Sequence, residues 1–168
     1  MTPLPPPHHH TLNAAHGWLG LDVPAEAQAE LDRLPPELRR HPAVLETQFA
    51  IHAEAKAWDA AFTVAEAAVQ LHPDEPGAWI HRAYAARRRP GGGLEEAFTL
   101  LLPAAEKFPA EVTVPYNLAC YRAQQGQLDE AWRWYRAARE LGEPARLRKL
   151  ALRDDDLRPL WAQITQLT

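Results

Sequence analysis

Four groups of residues in this 168-residue chain carry side chains able to do chemistry. His8-His9-His10, with His16 nearby, offers imidazole nitrogens to a transition metal. The run follows Pro5-Pro6-Pro7 and has no thiolate or carboxylate beside it, so no metal site is expected. Cys120 is the single cysteine, and His81 is a conceivable base for it. A thiol nucleophile also needs its base within hydrogen-bond reach and a donor for the oxyanion, and helical walls present few free backbone N–H groups. Asp154-Asp155-Asp156 supplies carboxylates but lacks the glycine and terminal glutamate of the roughly twelve-residue calcium loop. Helix capping is their expected role. Arg87-Arg88-Arg89 before Pro90-Gly91-Gly92-Gly93 can meet a phosphate or an acidic partner, yet it lacks the Gly-x4-Gly-Lys-Ser/Thr pattern. A solvated helix end is expected there. No catalytic residue, cofactor or metal site emerges, and the chain is not expected to be an enzyme.

Composition places these groups on helices. The sequence holds 31 alanines and 8 glycines and is 46% hydrophobic. Alanine is the best helix former, and strand-favouring residues are thinly spread. An all-α fold follows. The formal net charge of −4 offers no basic footprint for nucleic acid. No apolar run approaches the roughly 18 residues of a membrane span, and no charged-then-apolar leader opens the chain. One cysteine cannot form an internal disulfide, so a reducing, cytoplasmic setting is expected. Residues 1–10 read as a flexible proline- and histidine-rich tail.

Beyond Thr11, proline and glycine stops punctuate the chain at Pro35-Pro36, Pro42, Pro73 with Pro76, Pro90 to Gly93, Pro109, Gly126, Gly142 and Pro144. The regularity hides a repeat. Ala27, Ala61, Ala97 and Ala131 are spaced 34, 36 and 34 residues apart. Ala15, Phe49, Ala83 and Ala119 form a second column, and Leu34, Ala68, Ala104 and Ala138 a third. The two extra residues fall between Ala83 and Ala97, where the glycine loop lies. Pro103 interrupts a predicted helix, where a kink is expected, while Pro115 falls in a first turn.

Helix–turn–helix units of this length, with Ala-x3-aromatic in the second helix, resemble the tetratricopeptide repeat. The unit from Tyr116-Asn117-Leu118-Ala119 through Gly126-Gln127-Leu128 to Ala131, Tyr135 and Ala138 matches that pattern best. A second begins at Trp79, and the resemblance covers residues 11 to 144. It implies a right-handed superhelix of stacked antiparallel helix pairs, a TPR-like α-solenoid of about four repeats at 11–41, 42–75, 76–111 and 112–144. Residues 145–168 are expected to cap the final repeat with Leu157, Leu160, Trp161 and Ile164.

The resemblance also implies that the first helix of each pair lines a concave groove. That nominates Leu12 and His16; Glu46, Thr47, Ala50 and Glu54; Ile80, His81, Tyr84 and Arg88; and Tyr116, Asn117, Cys120 and Gln124. Aromatic and arginine side chains suit an interface, and an asparagine amide suits a peptide backbone. The family's carboxylate clamp needs convergent cationic donors. The matching positions, which include Thr47, Gly77, His81, Thr113 and Asn117, lack them. The chain is therefore expected to be a peptide- or helix-binding scaffold, monomeric or weakly dimeric, without nucleic-acid or membrane partners. A small client-specific chaperone and a self-assembling structural subunit remain open. Trp134 is expected to be exposed, where it would mark a second contact.

Overall fold

The computed structural model describes residues 4–6 and 8–167. Among the described residues there are ten α-helices, two 3-10 helices and no strand. The α-helices are α1 (His9–Leu19), α2 (Pro24–Asp32), α3 (Pro42–Glu54), α4 (Trp58–Leu71), α5 (Pro76–Ala86), α6 (Leu94–Lys107), α7 (Thr113–Gln124), α8 (Leu128–Leu141), α9 (Pro144–Ala151) and α10 (Trp161–Gln166). Pro36–Leu38 and Asp155–Leu160 are the 3-10 helices.

The alanine columns explain the pairing. Ala27, Ala61, Ala97 and Ala131 are all buried, as are Ala15, Phe49, Ala83 and Ala119. Small side chains at all of these places but Phe49 let neighbouring helices approach closely, which is why the period is written in alanine. Prolines at the first position of α2, α3, α5 and α9 start helices where an amide would go unused. The turn inside three pairs is also repeated. The amide of Val23 donates to Trp18 O at 3.0 Å, that of Ala57 to His52 O at 2.8 Å and that of Gln127 to Arg122 O at 2.9 Å. Each closes the preceding helix through a left-handed residue: Asp22 (φ 58°), Lys56 (φ 54°) and Gly126 (φ 76°). Only glycine adopts that conformation without steric cost.

The helices fall into two compact units divided between Gly92 and Gly93, so the boundary lies inside the pair expected at 76–111. In the first unit Leu12, Leu31, Leu34, Val44 and Ile51 form one core, and Phe49 packs with Ala61, Ala65 and Ala85 in another. In the second, Phe98, Leu101, Leu118, Tyr121 and Tyr135 are buried with Leu157, Leu160 and Ile164.

Three expectations need correction. The expected tail is shorter: His9 and His10 begin α1, and Leu4 is buried against the first core, which supplies the apolar surface that orders it. Residues 1–3 and 7 lie outside the described residues. Pro103 lies inside α6, as expected, and is exposed. Asp154 caps the 3-10 helix at Asp155–Leu160, with Pro159 inside it, and the last α-helix starts only at Trp161. Trp134 is half-buried, not exposed.

Candidate functional site

In the first unit, α3 and α5 present one face on which half of the expected residues meet. The His81 ring stacks on Phe49 with centroids 4.2 Å apart and 8° between planes. Tyr84, 37% exposed, meets Trp58 edge-on at 5.9 Å. The Arg88 guanidinium lies 3.4 Å from the Tyr84 ring centroid and 5.5 Å from that of Trp58. Its Nη1 also donates to Tyr84 O at 3.1 Å. Glu46, Ala50, Ala53 and Glu54 from α3, with Ile80 from α5, complete the lining of a cleft of about 520 Å³. Burial lowers the His81 pKa, which favours the neutral ring that lies flat on Phe49. Flat aromatic faces, one guanidinium and two carboxylates make a surface able to hold a side chain by stacking and by charge.

The arginine run is not a solvated end. Arg89 lies 3.8 Å from the Phe62 ring centroid, and Arg87 to Arg89 are all half-buried. A guanidinium is weakly hydrated and stacks readily on aromatic faces, which sequence alone does not reveal.

His16 and Thr47 pair with each other. Thr47 is buried, its Oγ1 lies 2.9 Å from His16 Nε2, and its hydroxyl donates to Ala43 O at 2.8 Å. Thr47 is therefore spent on packing α1 against α3.

In the second unit the corresponding face of α7 is covered by its own chain. The Tyr116 hydroxyl donates to Asp154 Oδ2 at 3.0 Å, and Cys120 Sγ lies 3.7 Å from the same oxygen. Gln124 Nε2 donates to Asp156 O at 2.9 Å. Asn117 Nδ2 turns back to Thr113 O at 2.9 Å on its own helix. Tyr116 and Cys120 are buried, which corrects their expected place on an open groove. Burial, then the neighbouring Cys120 and Asp154, push the Tyr116 phenol far above its ordinary pKa, so it stays a donor. Cys120, Asp154 and Asp156 bring their ligand atoms within 4.8 Å of one another. Asp154 also accepts from the Asp156 amide at 3.0 Å, so both its oxygens serve hydrogen bonds that fix the cap.

Two buried arginines went unforeseen. Arg122 joins α6, α7 and α8 by donating to Glu95 Oε2 at 2.7 Å and pairing with Glu130 Oε2 at 3.0 Å, with its guanidinium 3.4 Å from the Phe98 ring centroid. Arg82 pairs with Glu66 at 3.1 Å. The only sequence signal was an arginine on the inner side of an alanine-rich helix.

No protein-family model matches the chain, and no curated protein matches it. Solved structures do. MamA 41-end from Desulfovibrio magneticus RS-1 is 18% identical, with a TM-score of 0.68 over 98% of this chain and 97% of that one. The MamA RS-1 ArsTM double mutant gives 18% and 0.67 over 97% and 93%. A MamA AMB-1 structure gives 15% and 0.62 over 95% and 91%. At this identity the likeness is one of fold: the chain has the helical-repeat fold of the TPR-like protein MamA.

Proposed function

We propose that the chain is a non-catalytic scaffold that holds a segment of another polypeptide in the cleft on α3 and α5 of its first unit. The observation that carries this reading is the ring cluster of Trp58, Tyr84 and His81 beside a 520 Å³ cleft. Exposed aromatic surface with an adjoining hollow is what interface anchors use, because rigid rings bury much area at small entropic cost. Glu46, Ile80, His81, Tyr84 and Arg88 are the proposed contact residues. The MamA-like fold supports a protein-binding role over an enzymatic one. Among the described residues no helix is long and apolar enough to cross a membrane. We place the chain in the cytoplasm on the strength of its lone free cysteine.

The test is capture from source-cell lysate on immobilised full chain, with Ile80→Asp and Tyr84→Ala beside wild type. Circular dichroism first establishes equal helicity. Proteins held by wild type and lost from both variants support the cleft. Proteins held equally by all three contradict it.

A further inference from the structure

Beside the cleft lies a second, smaller hollow. It occupies about 120 Å³ between α3, α4 and α5, close to the roughly 150 Å³ that holds a benzene-sized guest in a close-packed interior. Its walls are largely apolar, with Leu45, Phe49, Ala65 and Ala68, and Gly77 also lines it. The repeat shows why it exists. Leu34, Ala104 and Ala138 stand at the same place as Ala68 and are buried, whereas Ala68 is half-buried. In this one repeat a small residue is left uncovered. A Cβ added at Gly77 would meet nothing within 4 Å. Glu46, Phe49 and His81 line both the hollow and the cleft, so the two adjoin.

The charge of the cleft is also specific. Glu46 and Glu54 line it and are exposed, and neither makes an ion pair among the described residues. The Arg88 guanidinium is committed to Tyr84 and Trp58. Two turns of α3 separate the carboxylates, roughly 12 Å or about four residues of an extended chain.

We infer that this adjoining hollow takes one aliphatic side chain of a basic partner segment, whose Lys or Arg residues pair with Glu46 and Glu54. The inference rests on the cleft reading above and adds the chemistry of the ligand. Valine- or leucine-sized side chains match the hollow, and a lysine or arginine about four residues away matches the second carboxylate.

The experiment selects random peptides displayed on phage against the full chain. Selected peptides are then measured against Ala68→Leu, Glu46→Gln/Glu54→Gln and Tyr84→Ala. Ala68→Leu fills the pocket from within and is expected to keep or raise the melting temperature. Should it misfold, Gly77→Leu blocks the mouth instead, where the backbone has room. The expected consensus pairs an aliphatic residue with lysine or arginine. Affinity should fall about tenfold or more in the plugged variant, and the paired glutamine variant should weaken binding and flatten its salt dependence. Peptides lost by Tyr84→Ala but bound unchanged by Ala68→Leu overturn the pocket and leave the cleft standing. An acidic consensus, or no enrichment over Ala68→Leu, overturns the inference. No enrichment over Tyr84→Ala sinks the cleft reading as well.

Discussion

Ile80, His81 and Tyr84 on α5, with Arg88 just past its end, stand 36 residues before Tyr116, Asn117, Cys120 and Gln124 on α7, at the same places in the repeat. The first four line or flank an open cleft. On α7, Tyr116, Cys120 and Gln124 are engaged by Asp154 and the carbonyl of Asp156, and Asn117 bonds its own helix. The period sets where a side chain stands. What folds over it decides whether it recognises a partner or holds the molecule together. Tyr84 and Cys120 are equivalent by sequence position, but one is 37% exposed and the other 3%.

The largest expected contrast comes from breaking the cover. Asp154→Ala removes the cap of the Asp155–Leu160 helix and the partner of the buried Tyr116 hydroxyl. It should lower unfolding free energy by about 2–3 kcal/mol in urea titrations. Tyr84→Ala should cost only about 1 kcal/mol, since the ring is partly in water already. Equal costs would break the comparison.

Arginines sharpen it further. Arg122 and Arg88 each place a guanidinium 3.4 Å from a ring centroid. Arg122 is buried and tied to Glu95 and Glu130. Its replacement by alanine should cost about 2 kcal/mol in the same titration, because packing on Phe98 and the links to α6 and α8 go together. Arg88→Ala should cost about 0.5 kcal/mol.

Acid should separate the units. All eight histidines precede Gly93. Burial lowers the pKa of His81 and His52 from 6.5. The unfolded chain then binds protons more readily, so stability holds near neutral pH and falls as pH drops below 6.5. The slope is at most about 1.4 kcal/mol per pH unit for His81 and smaller for His52, which is more open to solvent. Peptide-resolved hydrogen exchange should show the loss in α3 and α5, and His81→Phe should reduce it while keeping the stack on Phe49.

The smallest effect concerns the turns. Lys56 holds the left-handed place that Gly126 fills in the second unit. Lys56→Gly should raise unfolding free energy by about 0.5 kcal/mol, and Gly126→Lys should lower it by about 1 kcal/mol.

The helix pairs were legible because small residues at a fixed period are a direct imprint of close helix contact. The face of α5 was legible for the same reason. The cover on α7 was not, because Asp154 meets Tyr116 only after α8 and α9 bring the chain back, and no local pattern records that distance. Lys56 hid a glycine-like turn under an ordinary helix former. Arg122 hid its ion pairs because its partners lie on two other helices. The start of α1 at His9 was masked by the prolines before it.

Thiol reactivity tests the open-versus-covered claim most directly, since Cys120 is the only cysteine. Reaction with an aromatic disulfide reagent would be followed for wild type and for Tyr84→Cys in a Cys120→Ser background, both folded and under identical conditions. The account predicts that the Tyr84→Cys thiol reacts at about the rate of a free thiol, while Cys120 reacts on the order of a hundredfold more slowly, limited by opening of the cap. Comparable rates at the two positions would contradict it.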